Sequence, residues 1–208
     1  YGARISRTGE VLDPDGFRIT TNAVVWPPFA VAVQGTNYWV IYPDLTYDPV
    51  GSQHYYTINA VRVTPSGAVR DSVPLVLHKT LGYARNPAAA SLGGELLVVW
   101  DDNQSIWGLR VNHDGIPDAA PQRLATGDDG AGLPAVAAWG TNYYVAWLNT
   151  DWISDGVYRY DVCGVSVSRA GRPLHSQKIA SNVVATIGCF DFRLGVAASE
   201  SEWVVTWA

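Results

Sequence analysis

Residues 134–147 read PAVAAWGTNYYVAW, and this stretch decides the fold because it occurs four times. Its other copies are FAVAVQGTNYWVIY at 29–42, PAAASLGGELLVVW at 87–100 and LGVAASESEWVVTW at 194–207. Ala32, Ala90, Ala137 and Ala197 fall in register, as do the closing aromatics Tyr42, Trp100, Trp147 and Trp207. A second unit lies between the copies: YGARISRTG at 1–9, NAVRVTPSG at 59–67, WGLRVNHDG at 107–115 and CGVSVSRAG at 163–171. The closing aromatics stand 58, 47 and 60 residues apart, near the roughly 40–50-residue period of propeller blades with loop insertions.

Each repeat reads as four short strands. Strand A is small and apolar, strand B apolar on both faces, strand C alternating, and strand D keeps one inward residue (Ile19, Leu77, Leu124, Ile179). Such a gradient suits radial packing of twisted four-stranded sheets, with a crowded axis and solvated rim. Gly35, Gly93 and Gly140 fall between A and B, and Gly9, Gly67, Gly115 and Gly171 between C and D, as hairpin turns at positive φ demand. No segment sustains a 3.6-residue apolar period. The expected fold is therefore an all-β, four-bladed propeller with four antiparallel strands per blade. It forms one domain over 1–208, with blades near 29–79, 87–126 and 134–181. The fourth blade combines 192–208 with 1–20, closing the ring.

Composition supports this reading. Charged residues make up 16% of the 208, against roughly 25% in an ordinary soluble domain, while Trp (9) and Tyr (11) are abundant. The net charge of −5 provides no basic footprint for nucleic acid, and no apolar run approaches the roughly 20 residues that span a bilayer. With no Met and no leader at its start, the chain is expected to be processed or part of a longer one.

The pattern P-x-V-A-x-x-G-x-x-Y-x-V-x-W followed by Y-G-x-R-V-S-x-x-G resembles a tandem β-propeller repeat of large secreted and cell-surface proteins of bacteria and archaea. All four repeats match in outline, and the fourth departs most, with Cys163 and Ser166 replacing an aromatic or Asn and an Arg. The four-blade count is also similar to the hemopexin type, in architecture alone. The resemblance implies an extracellular adhesion or scaffold module and carries over no catalytic residues.

Several groups are candidates for chemistry. Arg4, Arg62 and Arg110 share one repeat position, and Asp44, Asp102 and Asn149 follow strand B across the hairpin. They read as an Arg–Asp bridge repeated per blade, or as a guanidinium ring for an anion. The long B–C loops carry Tyr47, His54, Tyr55, Tyr56, Trp152, Tyr158 and Tyr160, which can stack on sugars, anchor an interface or simply cover blade edges. Cys163 and Cys189 permit one disulfide or two free thiols. No cofactor is expected, although Asp13-Pro-Asp15-Gly16 and Asp128-Asp129-Gly130 are acidic turns of the kind that hold Ca²⁺. The four His lack metal-ligand spacing, and G-x-S-x-G, H-E-x-x-H and G-x-x-x-x-G-K are absent. These readings predict a non-enzymatic extracellular structural module that associates with copies of itself into a fibre or surface layer, or serves as an adhesin scaffold. The alternative is a carbohydrate-binding propeller with glycans as partners.

Overall fold

The computed structural model describes residues 1–20, 28–118, 120–154, 157–183 and 193–207. Those residues form an all-β chain of antiparallel strands. The first repeat is the sheet β1 (Ala30–Gln34), β2 (Asn37–Asp48), β3 (Gln53–Val63) and β4 (Leu75–Thr80), paired in that order. The second repeat comprises β5 (Arg85–Leu92), β6 (Glu95–Asp101), β7 (Asn103–Val111) and the start of β8 (Gln122–Trp139). The rest of β8 opens the third, with β9 (Asn142–Ser154), β10 (Val157–Ser168) and β11 (Pro173–Ala180). Because β8 pairs with both β7 and β9, the second and third repeats share one seven-stranded sheet. The fourth contributes β12 (Leu194–Ala198) and β13 (Trp203–Trp207).

Register follows the repeat. In each complete unit the closing aromatic of strand B stands opposite the first residue of the strand C unit: Tyr42 with Asn59, Trp100 with Trp107, and Trp147 with Cys163. The A–B turns place Gly35, Gly93 and Gly140 at φ of 57°, 59° and 61°, a left-handed conformation that costs glycine no steric clash. In the C–D turns a hydroxyl or amide side chain caps the bend: Ser6, Thr64, Asn112 and Ser168 accept the N–H of Glu10, Ala68, Ile116 and Arg172.

Strand B is buried on both faces, as its composition predicted. Leu96, Val98 and Trp100 pack against Trp39, Ile41 and Ile58 of the first repeat. Leu97 and Val99 pack against Tyr143, Val145 and Trp147 of the third. Tyr42, Trp100 and Trp147 are 1–3% exposed, whereas Trp207 is 41% exposed. The difference arises because β13 pairs only with β12 among the described residues. Residues 1–17 instead form a small hairpin, bridged at Gly2 and Phe17, against Val31, Tyr38, Val40 and Val63 of the first repeat. The described sheets thus leave the ring open.

The repeated arginines pair at a different place from the one expected. Arg4 gives Nε and Nη2 to Asp13, both at 2.8 Å, Arg62 pairs with Asp71, and Arg110 lies 2.6 Å from Asp118. Asp44 and Asp102 are out of reach because Arg62 stands opposite Trp39, while Asp44 stands opposite Thr57. Those two levels are five residues, about 17 Å, apart along the strand. In the fourth copy Ser166 takes the arginine position and its Oγ accepts the His175 N–H. Arg4 also reaches the next repeat: its Nη1 donates to the Pro65 carbonyl, and a Cβ built on Gly67 would lie 2.8 Å from its Nε. Arg4 is thus a clasp between repeats.

Candidate functional site

Two kinds of connection meet at the same end of each sheet, namely the B–C hairpins and the D–A connections that start strand A. Between the first and second repeats they enclose a pocket of about 180 Å³ lined by Pro43, Asp44, Leu45, Tyr56, Tyr83 and Arg85. Tyr56 and Tyr83 meet edge to face with centroids 5.0 Å apart, and the Arg85 guanidinium lies 4.6 Å over the Tyr83 ring. Arg85 also donates to Asn103 Oδ1, while its Nε is buried with no hydrogen-bond partner.

Strand alternation decides which side chains face this pocket. Tyr56 and Ile58 pack into the core shared with the second repeat, so their register partners Leu45 and Pro43 face the same way. Asp44 and its partner Thr57 fall on the opposite face, where the Asp44 charge helps raise the pKa of the Tyr42 phenol, already pushed up mainly by burial. The Asp44 segment therefore lines the pocket with backbone, and Arg85 is its charged side chain.

The seven loop residues singled out from sequence divide three ways. Tyr47 and His54 stand opposite each other with centroids 5.0 Å apart, on the same face as Tyr56. Tyr55 turns to the other face, under the Lys79 ammonium at 4.0 Å. Trp152 and Tyr158 pair across β9 and β10, and alternation places them with Leu148 and Tyr160, toward β12 and β13. They do not join the first group. The sequence reading missed Tyr83, in a D–A connection, and Arg85, the first residue of β5; the GYAR run at 82–85 carries the aromatic and cationic signal.

A second cavity, of about 270 Å³, collects strand A starts from all four repeats. Its lining includes Pro28, Asn86, Pro87, Leu133, Pro134 and Arg193. Asn86 and Leu133 both precede proline, both sit at positive φ (51° and 54°) and both occupy register shifts. They are tied together from behind by Asp101, whose Oδ2 accepts the Asn86 Nδ2 at 2.7 Å and the Leu133 N–H at 3.1 Å. Asp101 is 1% exposed, and this burial pushes its pKa up to about 6 despite those donors.

Three of the four carboxylates considered for Ca²⁺, Asp13, Asp128 and Asp129, are otherwise engaged. Asp13 is held by Arg4, whose side-chain hydrogen bonds bring its pKa down to about 2. Asp128 bonds Asn149, and Asp129 accepts the Trp152 N–H. Among the described residues no cluster of three His, Cys, Asp or Glu is placed to hold a metal. The Cys163–Cys189 bridge falls outside the described residues, which include Cys163 alone; its half-buried thiol has a pKa raised by burial.

No protein-family model matches the chain, and no curated protein matches it. Among solved structures, an exo-1,5-alpha-L-arabinanase from a bovine ruminal metagenomic library is similar at 13% identity and a TM-score of 0.52, over 86% of this chain and 67% of that one. A GH43 endo-arabinanase from Bacillus licheniformis is similar at 13% identity and a TM-score of 0.49, over 81% and 62%. One of two prolyl endopeptidases studied together gives 15% identity and a TM-score of 0.35, over 86% and 31%. The chain spans about two thirds of the length of the arabinanases it matches.

The fold is β-propeller-like. This likeness also corrects the expectation of a non-enzymatic structural module, because a similar fold serves in the first of these proteins as an arabinanase. Missing motifs such as G-x-S-x-G exclude only the chemistries that use them, and so could not exclude an enzyme.

Proposed function

We propose that this chain is a carbohydrate-binding propeller whose glycan site is the pocket between the first and second repeats. The observation that carries the reading is the meeting of Tyr56, Tyr83 and Arg85 around one concave space, beside the Tyr47–His54 pair. Sugar rings present apolar C–H faces and polar hydroxyl edges, which aromatic faces and guanidinium donors complement. The arabinanase likeness supports a scaffold suited to carbohydrate, and 1,5-arabinan is therefore the first polymer to test. A glycan array probed with the native chain should show capture, and Tyr83→Ala should reduce it. Incubation with arabinan, read by release of reducing ends, tests processing alongside binding. An array without any captured glycan overturns the reading.

We also infer that the four repeats are four blades of one ring, closed by pairing β13 with residues 1–6. Carrying the shared register over sets Tyr1 opposite Trp207 and Ser6 opposite Glu202. The bare Val204 on β13 and the bare Val31 and Tyr38 on β1 and β2 are the surfaces that closure would cover. A Ser6→Cys, Glu202→Cys variant should then oxidise to an intramolecular disulfide, which needs Cα atoms within roughly 7 Å. Failure of that bridge to form under oxidation overturns closure.

A further inference from the structure

We infer that the sugar unit held at this pocket is acidic, its carboxylate taken by Arg85. This deepens the glycan reading of the same pocket and rests on it. Among the described residues, every other half-buried arginine is matched with a carboxylate: Arg4 with Asp13, Arg62 with Asp71, Arg110 with Asp118 and Glu95, and Arg159 with Asp151. Arg85 alone is half-buried without an ion pair. Its hydrogen-bond partner is the neutral Asn103 amide oxygen; its Nε is buried without a hydrogen-bond partner, as are those of the ion-paired Arg110 and Arg159, so the missing carboxylate is what sets Arg85 apart. The Asp101 charge acts on this guanidinium only from beyond ion-pair distance, so its fork has no carboxylate acceptor within the protein, and a ligand carboxylate supplies one in the planar geometry that arginine presents.

The surroundings favour a sugar acid over a free small anion. Tyr83 lies beneath the guanidinium at 4.6 Å, and Tyr56 meets Tyr83 at 62° to form a two-sided aromatic corner. The walls contributed by Pro43 and Leu45 are apolar. A ring with one charged edge and C–H faces fits such a corner, whereas inorganic phosphate would leave those faces bare. The carboxylate near Arg85 within the protein, Asp101, turns its Oδ2 to Asn86 and Leu133, and the Asp44 side chain lies on the other face of its strand. Neither occupies the place that the ligand would take.

The experiment measures binding of the native chain to short oligomers of galacturonic, glucuronic and mannuronic acid. Each is compared with the same oligomer after its carboxyl groups are reduced to alcohols. The acidic form of the best ligand should bind roughly ten- to hundredfold tighter than its reduced form, the range that charge-assisted hydrogen bonds supply. Arg85→Met should erase that preference, and Arg85→Lys should retain part of it. The wild-type comparison stands by itself if a variant fails to fold. Equal binding of acidic and reduced oligomers overturns the inference while leaving the glycan reading in place, as does capture of neutral glycans alone. If neither acidic nor neutral glycans bind, both fall together.

Discussion

Arg85 and Asp101 stand directly opposite each other in the β5–β6 register, yet they form no ion pair. Asp101 turns inward to join the Asn86 and Leu133 segments, while Arg85 turns outward over Tyr83 toward Asn103. Two opposite charges at adjoining positions are thus each committed to a different surface. One fastens the starts of β5 and of the third repeat's strand A, and the other faces the pocket.

The buried carboxyl should make stability depend on pH with an unusual sign. The unfolded chain releases the Asp101 proton near 3.8, and the folded chain only near 6. Ionisation therefore opposes folding: the Asp101 contribution to stability is most favourable below pH 4, falls between pH 4 and 6, and stays lower above. The shift corresponds to at most about 3 kcal/mol. Other aspartates, such as Asp13 and Asp71, act in the opposite direction, so the informative quantity is the difference from Asp101→Asn. Urea unfolding at pH 4 and pH 7 should show the wild type losing this contribution on going to pH 7 and the variant lacking the loss.

Asp71→Ala should destabilise the protein by about 1–2 kcal/mol, because it leaves the Arg62 fork without its acceptor. Asp44→Ala, at the position across the hairpin, removes only a half-buried side chain that accepts the neighbouring Leu45 N–H and should cost less, under about 1 kcal/mol. Denaturant midpoints of the two variants separate the observed pairing from the one suggested by proximity to the hairpin.

Gly67 and Gly9 share a backbone conformation, with φ of 86° and 87°, but differ in surroundings. A Cβ on Gly9 meets open space, whereas one on Gly67 meets the Arg4 side chain. Gly9→Ala should therefore cost about 1 kcal/mol, the left-handed penalty alone. Gly67→Ala should cost more and lower the melting temperature further, since it also pushes the clasp apart.

Tyr55→Ala should leave glycan capture unchanged, and Tyr83→Ala should lower it about tenfold, the scale of a well-packed aromatic contact. Neighbouring Tyr55 and Tyr56 face opposite sides of one strand, so affinity measured for both alanine variants also checks which face of the hairpin is used.

Much of the architecture was legible because repetition sets residues of known role into register. The closing aromatics, the turn glycines and the doubly apolar strand B each recur at fixed offsets, and packing follows from period-two alternation. The arginine partners were not legible from adjacency. Asp44 lies near the hairpin bend, but an extended chain carries it about 17 Å from the level of Arg62. Asp71 lies nine residues beyond that arginine, returned to it by the C–D turn. The pocket was half legible. Tyr56 stood out as a loop aromatic, but Tyr83 and Arg85 come from a connection and the start of β5, whose meeting with the B–C hairpin depends on how two sheets stack. Asp101 was hidden for a related reason, since its significance lies in two bulges that contribute one side-chain and one backbone donor.

The eighteen-residue β8, which ends one repeat and begins the next, has a consequence for how the molecule comes apart. Repeat arrays usually open one unit at a time, each unit limited by its own stability and its interface with a neighbour. Here Gln122–Trp139 pairs with β7 along one part and β9 along another, so neither repeat can fray without withdrawing a strand from the other. The second and third repeats should exchange their amide protons as one cooperative block, slower than the first repeat, which β4 ends at Thr80 before a separate turn leads to Arg85.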